Sequence, residues 1–283
     1  MHSSIKKTTI VRVKDFHEKE ETDFLAAEEP LEIRLLFGPP HARRQQSVSV
    51  TMRTPGHDFD LATGFLFTEG IINGVADIDT IKHCGGLNNN VVRVELTHEV
   101  AVNITKLERN FYTTSSCGVC GKASIDAVRT VSSQPVPQEK MHFAAEMLVT
   151  LPGRLRKAQS VFDNTGGLHG CALFNVSGDL VLSREDVGRH NAVDKLVGAA
   201  LQKSIFPLSP YVLLLSGRAS FELIQKAWMA GIQIVAAIGA PSSLALEMAE
   251  EAGITLVGFL RAGGFNIYSG KERITILAYE NSD

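Results

Sequence analysis

The chain has no surplus of positive charge: 28 Lys and Arg stand against 31 Asp and Glu, for a formal net charge of -3. That argues against a general binder of nucleic acid or anionic membranes, which needs a basic excess, and leaves only a local basic pocket open. Long hydrophobic runs are missing too. The most apolar stretch, Ile232 to Ala240, contains Gln233 and falls well short of the roughly 20 residues of a membrane span. The first residues, Met1-His2-Ser3-Ser4-Ile5-Lys6-Lys7, hold no apolar run of signal-peptide length, so the cytoplasm is the expected compartment. There is no G-x-G-x-x-G and no G-x-x-x-x-G-K-[ST], which leaves a standard dinucleotide fold or P-loop enzyme unsupported. Only four cysteines occur in 283 residues. A chain of this length buries about three quarters of its unfolded surface and needs no disulfide or metal to hold a core.

What is present divides by pattern. Up to about Glu99 the chain reads as strand-rich α+β. Leu31, Ile33, Leu35 and Phe37 alternate with Glu32, Arg34 and Leu36, and Val48, Val50 and Met52 alternate again. Thr54-Pro55 reads as a helix start, with Phe59, Ala62, Phe65 and Leu66 on one face and a stop at Gly70. Pro135 and Pro137 suggest a linker, giving a smaller domain over 1–134 and an α/β domain over 135–283. Phe143, Met147, Leu148 and Leu151 fit a helix face interrupted by Pro152-Gly153. Ser177-Gly178-Asp179 marks a hairpin. From Tyr211 onward, near-continuous apolar strands alternate with amphipathic helices, the pattern of a parallel sheet covered on both faces.

Ligands gather outside the carboxyl ends of strands in such sheets. Three strand ends are suggestive: Ser216-Gly217-Arg218-Ala219-Ser220, Gly239-Ala240-Pro241-Ser242-Ser243, and Leu260-Arg261-Ala262-Gly263-Gly264. Small residues permit close backbone approach, helix N-termini offer amides to anions, and Arg218 and Arg261 add charge. Ordinary turn chemistry accounts for any single loop of this kind; three on one edge favour a phosphate-bearing ligand. Within Ser183 to Asn191, Arg189 and His190 beside Gly188 are further ligand candidates, against a plain solvated helix start with Asp186 as its cap. His169, between glycines, reads as a solvent-exposed loop histidine, and Cys171 as a buried strand residue.

The remaining chemistry is Ser115-Ser116-Cys117-Gly118-Val119-Cys120-Gly121-Lys122. Glycine on both sides of a thiol suits a loop that must reach something. Three chemistries compete. Structural zinc needs four ligands; His83 with Cys84, or His169 with Cys171, would have to complete the set, and the deaminase pattern H-x-E with P-C-x-x-C is absent. Thioredoxin-like exchange expects the motif at the end of a strand in an N-terminal βαβ unit. Sulfur relay needs a thiolate that takes the outer sulfur of a donor persulfide and later leaves well, and Lys122 could lower the thiol pKa for that.

Taken together, Cys117-Gly118-Val119-Cys120-Gly121, Glu185 to His190 with Asp194-Lys195, Ser216 to Ser220, and Leu256-Val257-Gly258-Phe259 resemble the FdhD/NarQ family, over most of the chain. The resemblance implies a sulfurtransferase that serves formate dehydrogenase. A cysteine desulfurase would load a persulfide on Cys117, with Cys120 as its partner. The sulfur would pass to the molybdenum of bis-molybdopterin guanine dinucleotide before insertion into the formate dehydrogenase apoenzyme. It also implies cofactor contacts at Phe259, Leu260, Arg261, Ala262, Gly263 and Gly264, a zinc-free core similar to the cytidine deaminase fold, and a homodimer. The alternative is a cofactor-binding chaperone whose thiols only sense redox state.

Overall fold

The computed structural model describes residues 4–84, 89–102 and 141–276. Cys117, Cys120, the helix expected over 123–131 and the expected boundary at 134/135 lie outside the described residues.

The chain opens with a hairpin of two ten-residue strands, β1 (Ile5–Lys14) and β2 (His17–Ala26), turned at Asp15-Phe16. Next come β3 (Glu29–Phe37), β4 (Arg44–Arg53), α1 (Asp58–Thr68), β5 (Ile78–His83) and β6 (Val91–Leu96). The sheet they build is ordered β4-β3-β6-β5. Alternation in β3 puts Leu31, Ile33 and Leu35 inside, against Val92, Val94 and Leu96 of β6 and Leu61 and Leu66 of α1. Burial of each such side chain stabilises the fold by roughly 1.5–3 kcal/mol.

The second half holds β7 (Phe143–Ala144), α2 (Ala145–Leu148), α3 (Leu151–Ala158), α4 (Ser160–Thr165), β8 (His169–Phe174), β9 (Leu180–Asp186) and α5 (Arg189–Gln202). It continues through β10 (Val212–Leu215), α6 (Phe221–Met229), β11 (Ile234–Ala237), α7 (Ser243–Glu251), β12 (Thr255–Arg261), β13 (Gly264–Ser269) and β14 (Ile274–Thr275). A six-stranded sheet runs β13-β12-β11-β10-β8-β9. Helices cover both faces, as expected: Leu213 and Leu215 face α5 and α6, while Val212 and Leu214 face Leu148, Leu151 and Leu155 of α2 and α3.

Two expectations are corrected, while the expected parallel strands β10, β11 and β12 are present within a mixed sheet in which β8 runs against β10 and β13 against β12. Strand β13 joins β12 through a local hairpin, whereas the chain passes from β8 to β10 through the β8–β9 hairpin and then α5. Pro152 does not interrupt a helix but sits in the first turn of α3, where its missing N–H costs nothing. Thr54-Pro55 does not open α1, which is entered from His57 in the left-handed region (φ 58°). Thr54 is held instead by the second half of the chain: its amide donates to Asp186 Oδ2 (3.1 Å), and its carbonyl accepts from Lys195 Nζ (2.8 Å).

The two halves join where α1 crosses α5. A Cβ on Gly64 would collide with the carbonyl oxygen of Asp194, and one on Gly198 with that of Asp60. Glycine is required there because the two backbones touch. The apolar cluster is accordingly continuous from β3 through α1 and α5 to β12.

Candidate functional site

The strand directions collect three helix starts on one edge. Strand β9 is antiparallel to β8, and β8 to β10, so β9 ends on the same side as β10, β11 and β12. Helices α5, α6 and α7 therefore begin at this carboxyl edge, where helix dipoles favour anions, with Ser242 Oγ already taking the Ala245 amide at the start of α7.

Backbone hydrogen bonds lace the edge together. The Ser216 amide donates to Gly170 O (2.9 Å), the Gly239 amide to Gly217 O (2.9 Å), and the Phe259 amide to Gly239 O (3.1 Å). The Gly170 amide donates in turn to Ser216 Oγ (2.9 Å), so Ser216 stitches two strands. A Cβ on Gly239 would press on Gly217 O at 3.0 Å and on Arg218 Cγ at 3.1 Å. Bare backbone thus forms the floor of the edge, and Arg218 lies over it, exposed.

Arg189, Arg218 and Arg261 make no ion pair or hydrogen bond among the described residues. His190 is engaged: its Nε2 stands 3.5 Å from Ser220 Oγ and 3.7 Å from Glu222 Oε2. Burial alone would raise the Glu222 carboxyl; His190, its own amide and Ser220 outweigh that and hold it at about 2. Arg189, His190 and Arg218 share their surroundings with His169, which sequence reading had placed in an exposed loop. It is the half-buried first residue of β8, opposite Asp186.

The 259–264 stretch is not a loop up to residue 261. It is the bulged end of β12 with a tight turn into β13. Phe259 is forced to φ 53° and left 40% exposed, while Leu260 is fully buried in the second apolar cluster. Phe259 and Arg261 therefore present side chains outward, and Leu260 offers only backbone. Ala262 and Gly263 form the exposed turn, and Gly264 opens β13 at φ 150°.

The Glu185-to-Lys195 motif has another role than a solvated helix face. Asp186 is fully buried and accepts four hydrogen bonds, from the Thr54 amide, the Gly188 amide (2.8 Å), Asn191 Nδ2 (3.2 Å) and Lys195 Nζ (2.7 Å). Asp194 accepts from Thr68 Oγ1 (2.7 Å) and from Lys226 Nζ (2.9 Å). Desolvation pulls the Lys226 pKa down, but the carboxylates of Asp194 and Glu69 more than offset it and keep the ammonium charged. Glu185 receives the amides of Val161 (3.1 Å) and Phe162 (3.0 Å).

As for the cysteines within the described residues, Cys171 is buried at 1% exposure, and desolvation pushes its thiol far up. Such a thiol is inert. Cys84 is half-buried after β5. Among the described residues no group of three or more His, Cys, Asp and Glu is placed to hold a metal ion, and no helix is long and apolar enough to cross a membrane.

Comparison with known proteins now adds to this geometry. The profile of the FdhD/NarQ family matches residues 26–275. The chain belongs to the FdhD/NarQ family. It is 52% identical over 276 residues to the sulfur carrier protein FdhD of Streptomyces coelicolor, covering 95% of each chain. It is 44% identical over 270 residues to the protein of that name from Saccharolobus solfataricus, covering 95% of this chain and 98% of the relative. Among solved structures, a proposed formate dehydrogenase accessory protein from Desulfotalea psychrophila superposes with a TM-score of 0.72 at 23% identity. That match covers 96% of this chain and all of the other, and it supports the fold.

Proposed function

We propose that this protein is a sulfur carrier that acts as a sulfurtransferase in the maturation of formate dehydrogenase. A cysteine desulfurase loads Cys117: the thiolate attacks the outer sulfur of the donor persulfide, a new S–S bond forms, and the donor cysteine leaves as a thiolate. The cofactor in its reduced form then takes the outer sulfur: the S–S bond breaks, Cys117 leaves as a thiolate beside Cys120, and the two electrons that bring the sulfane sulfur to the sulfide level come from the molybdenum of bis-molybdopterin guanine dinucleotide. The cofactor is the substrate, bound transiently before its insertion into the dehydrogenase.

The observation that carries this reading is the carboxyl edge. Among the described residues Arg189 and Arg218 make no ion pair or hydrogen bond, and with His169 and His190 they stand at a glycine-floored edge where α5, α6 and α7 begin. A diphosphate needs such cations and amides. Phe259 and Arg261, outward at the end of β12, extend the edge on one side. The expected likeness of the second half to the cytidine deaminase fold fits this picture, in which loops at one sheet edge build the ligand site.

The test is to incubate the purified chain with a cysteine desulfurase and cysteine and weigh it intact. The expected result is a gain of one sulfur atom, lost in Cys117→Ser. A wild-type chain that stays at its original mass rules the reading out.

A further inference from the structure

His169 is the residue at this edge that neither the motifs nor the family resemblance singled out. Its ring lies against Gly217, where a Cβ would stand 3.4 Å from Nδ1 and 3.6 Å from Cε1. The imidazole thus lies in van der Waals reach of the Gly217 position in the loop after β10, and the His169 backbone pairs with Asp186 at the end of β9. Neither ring nitrogen has a hydrogen-bond partner among the described residues, in contrast with His190. The charged and titratable groups around it are Arg189 and His190 of α5, Arg218 after β10, and Asp186 of β9. Burial and the nearby positive charges disfavour its protonation, with Asp186 opposing them. An anion laid across Arg189 and Arg218 would reverse that balance, since its oxygens accept from an imidazolium and offset the surrounding charge.

We propose that His169 is a further ligand of the anion site and binds the diphosphate diester of the nucleotide-bearing cofactor by taking a proton from solvent. The proposal rests on the reading of the edge as the cofactor site. It makes the empty site less repulsive to itself and couples occupancy to protonation.

The probe is guanosine diphosphate mannose, a diphosphate diester whose charge is constant around neutral pH. Calorimetry on the full chain, in buffers of different ionisation enthalpy, should find uptake of up to about one proton per ligand. Affinity should fall by up to about tenfold per pH unit between the free and bound titration points, the limit for one linked proton. His169→Asn should bind with neither uptake nor slope, and His41→Asn, in the exposed turn between β3 and β4, should keep both. Wild-type binding without proton uptake, or uptake retained in His169→Asn, overturns the role of His169. If binding still depends on Arg218 in that case, the cofactor site itself stands. Absence of wild-type binding overturns both.

Discussion

Helix α5 holds two kinds of charge within two turns of each other. Asp194 and Lys195 are buried and fully partnered, by Thr68 and Lys226 on one side and by Asp186 and Thr54 on the other. Arg189, in the first turn, has no partner among the described residues. Buried charges survive only when paired and hydrogen-bonded, so the first group is explained by the fold it holds together. An unpaired arginine at a sheet edge is not explained that way. The contrast separates a structural lattice from a binding edge inside one continuous sequence motif.

The largest expected effect lies in the lattice. Lys195→Met leaves the Asp186 carboxylate buried without its cation, and should cost about 3–5 kcal/mol in a urea denaturation experiment. A loss below about 1 kcal/mol would mean that the three remaining donors suffice and that the lattice is redundant. At the edge the signature should invert. Arg218→Ala should leave stability within about 0.5 kcal/mol but weaken binding of guanosine diphosphate about tenfold or more, the worth of one charge-assisted hydrogen bond. A destabilised Arg218→Ala with intact binding would merge the two regions and remove the argument for a site.

Much of this architecture was legible in the sequence, and the failures have physical causes. The apolar runs from Tyr211 onward identified β10, β11 and β12 and the helices between them, because strands buried on both faces must be apolar throughout. The directions of β8 and β13 were not legible, since hydrophobicity carries no sign of strand polarity. Thr54-Pro55 satisfied every local rule for a helix start. It failed because Asp186 and Lys195, more than a hundred residues later, claim the Thr54 backbone. His169 was misplaced because its flanking glycines looked like loop. Gly170 is in fact needed where Gln159 packs against the strand, a contact only the fold creates. Arg189, His190 and Arg218 stood out in the sequence because arginine and histidine beside glycine at strand ends form a local pattern, and the fold brings them to one edge. The thiols Cys117 and Cys120 are candidates by their spacing alone, and they lie outside the described residues.

Glu222 belongs to neither side of the comparison and offers its finest test. Its carboxylate sits at the start of α6, 3.7 Å from His190 Nε2, with both side chains less than a fifth exposed. With its carboxyl held at about 2 rather than 4.5, it contributes stability that is fully present above about pH 4.5. That stability drains away as pH falls towards 2, because the folded state then has to bind a proton that the unfolded chain bound earlier. The full shift would correspond to about 3 kcal/mol, and residual solvent screening reduces it to about 1–2 kcal/mol. Glu222→Gln should therefore cost about 1–2 kcal/mol by urea denaturation at about pH 5, where an imidazole partner is protonated, and the gap to wild type should shrink steadily below about pH 4. A gap of constant size down to about pH 3 would place the contribution of Glu222 in packing rather than charge.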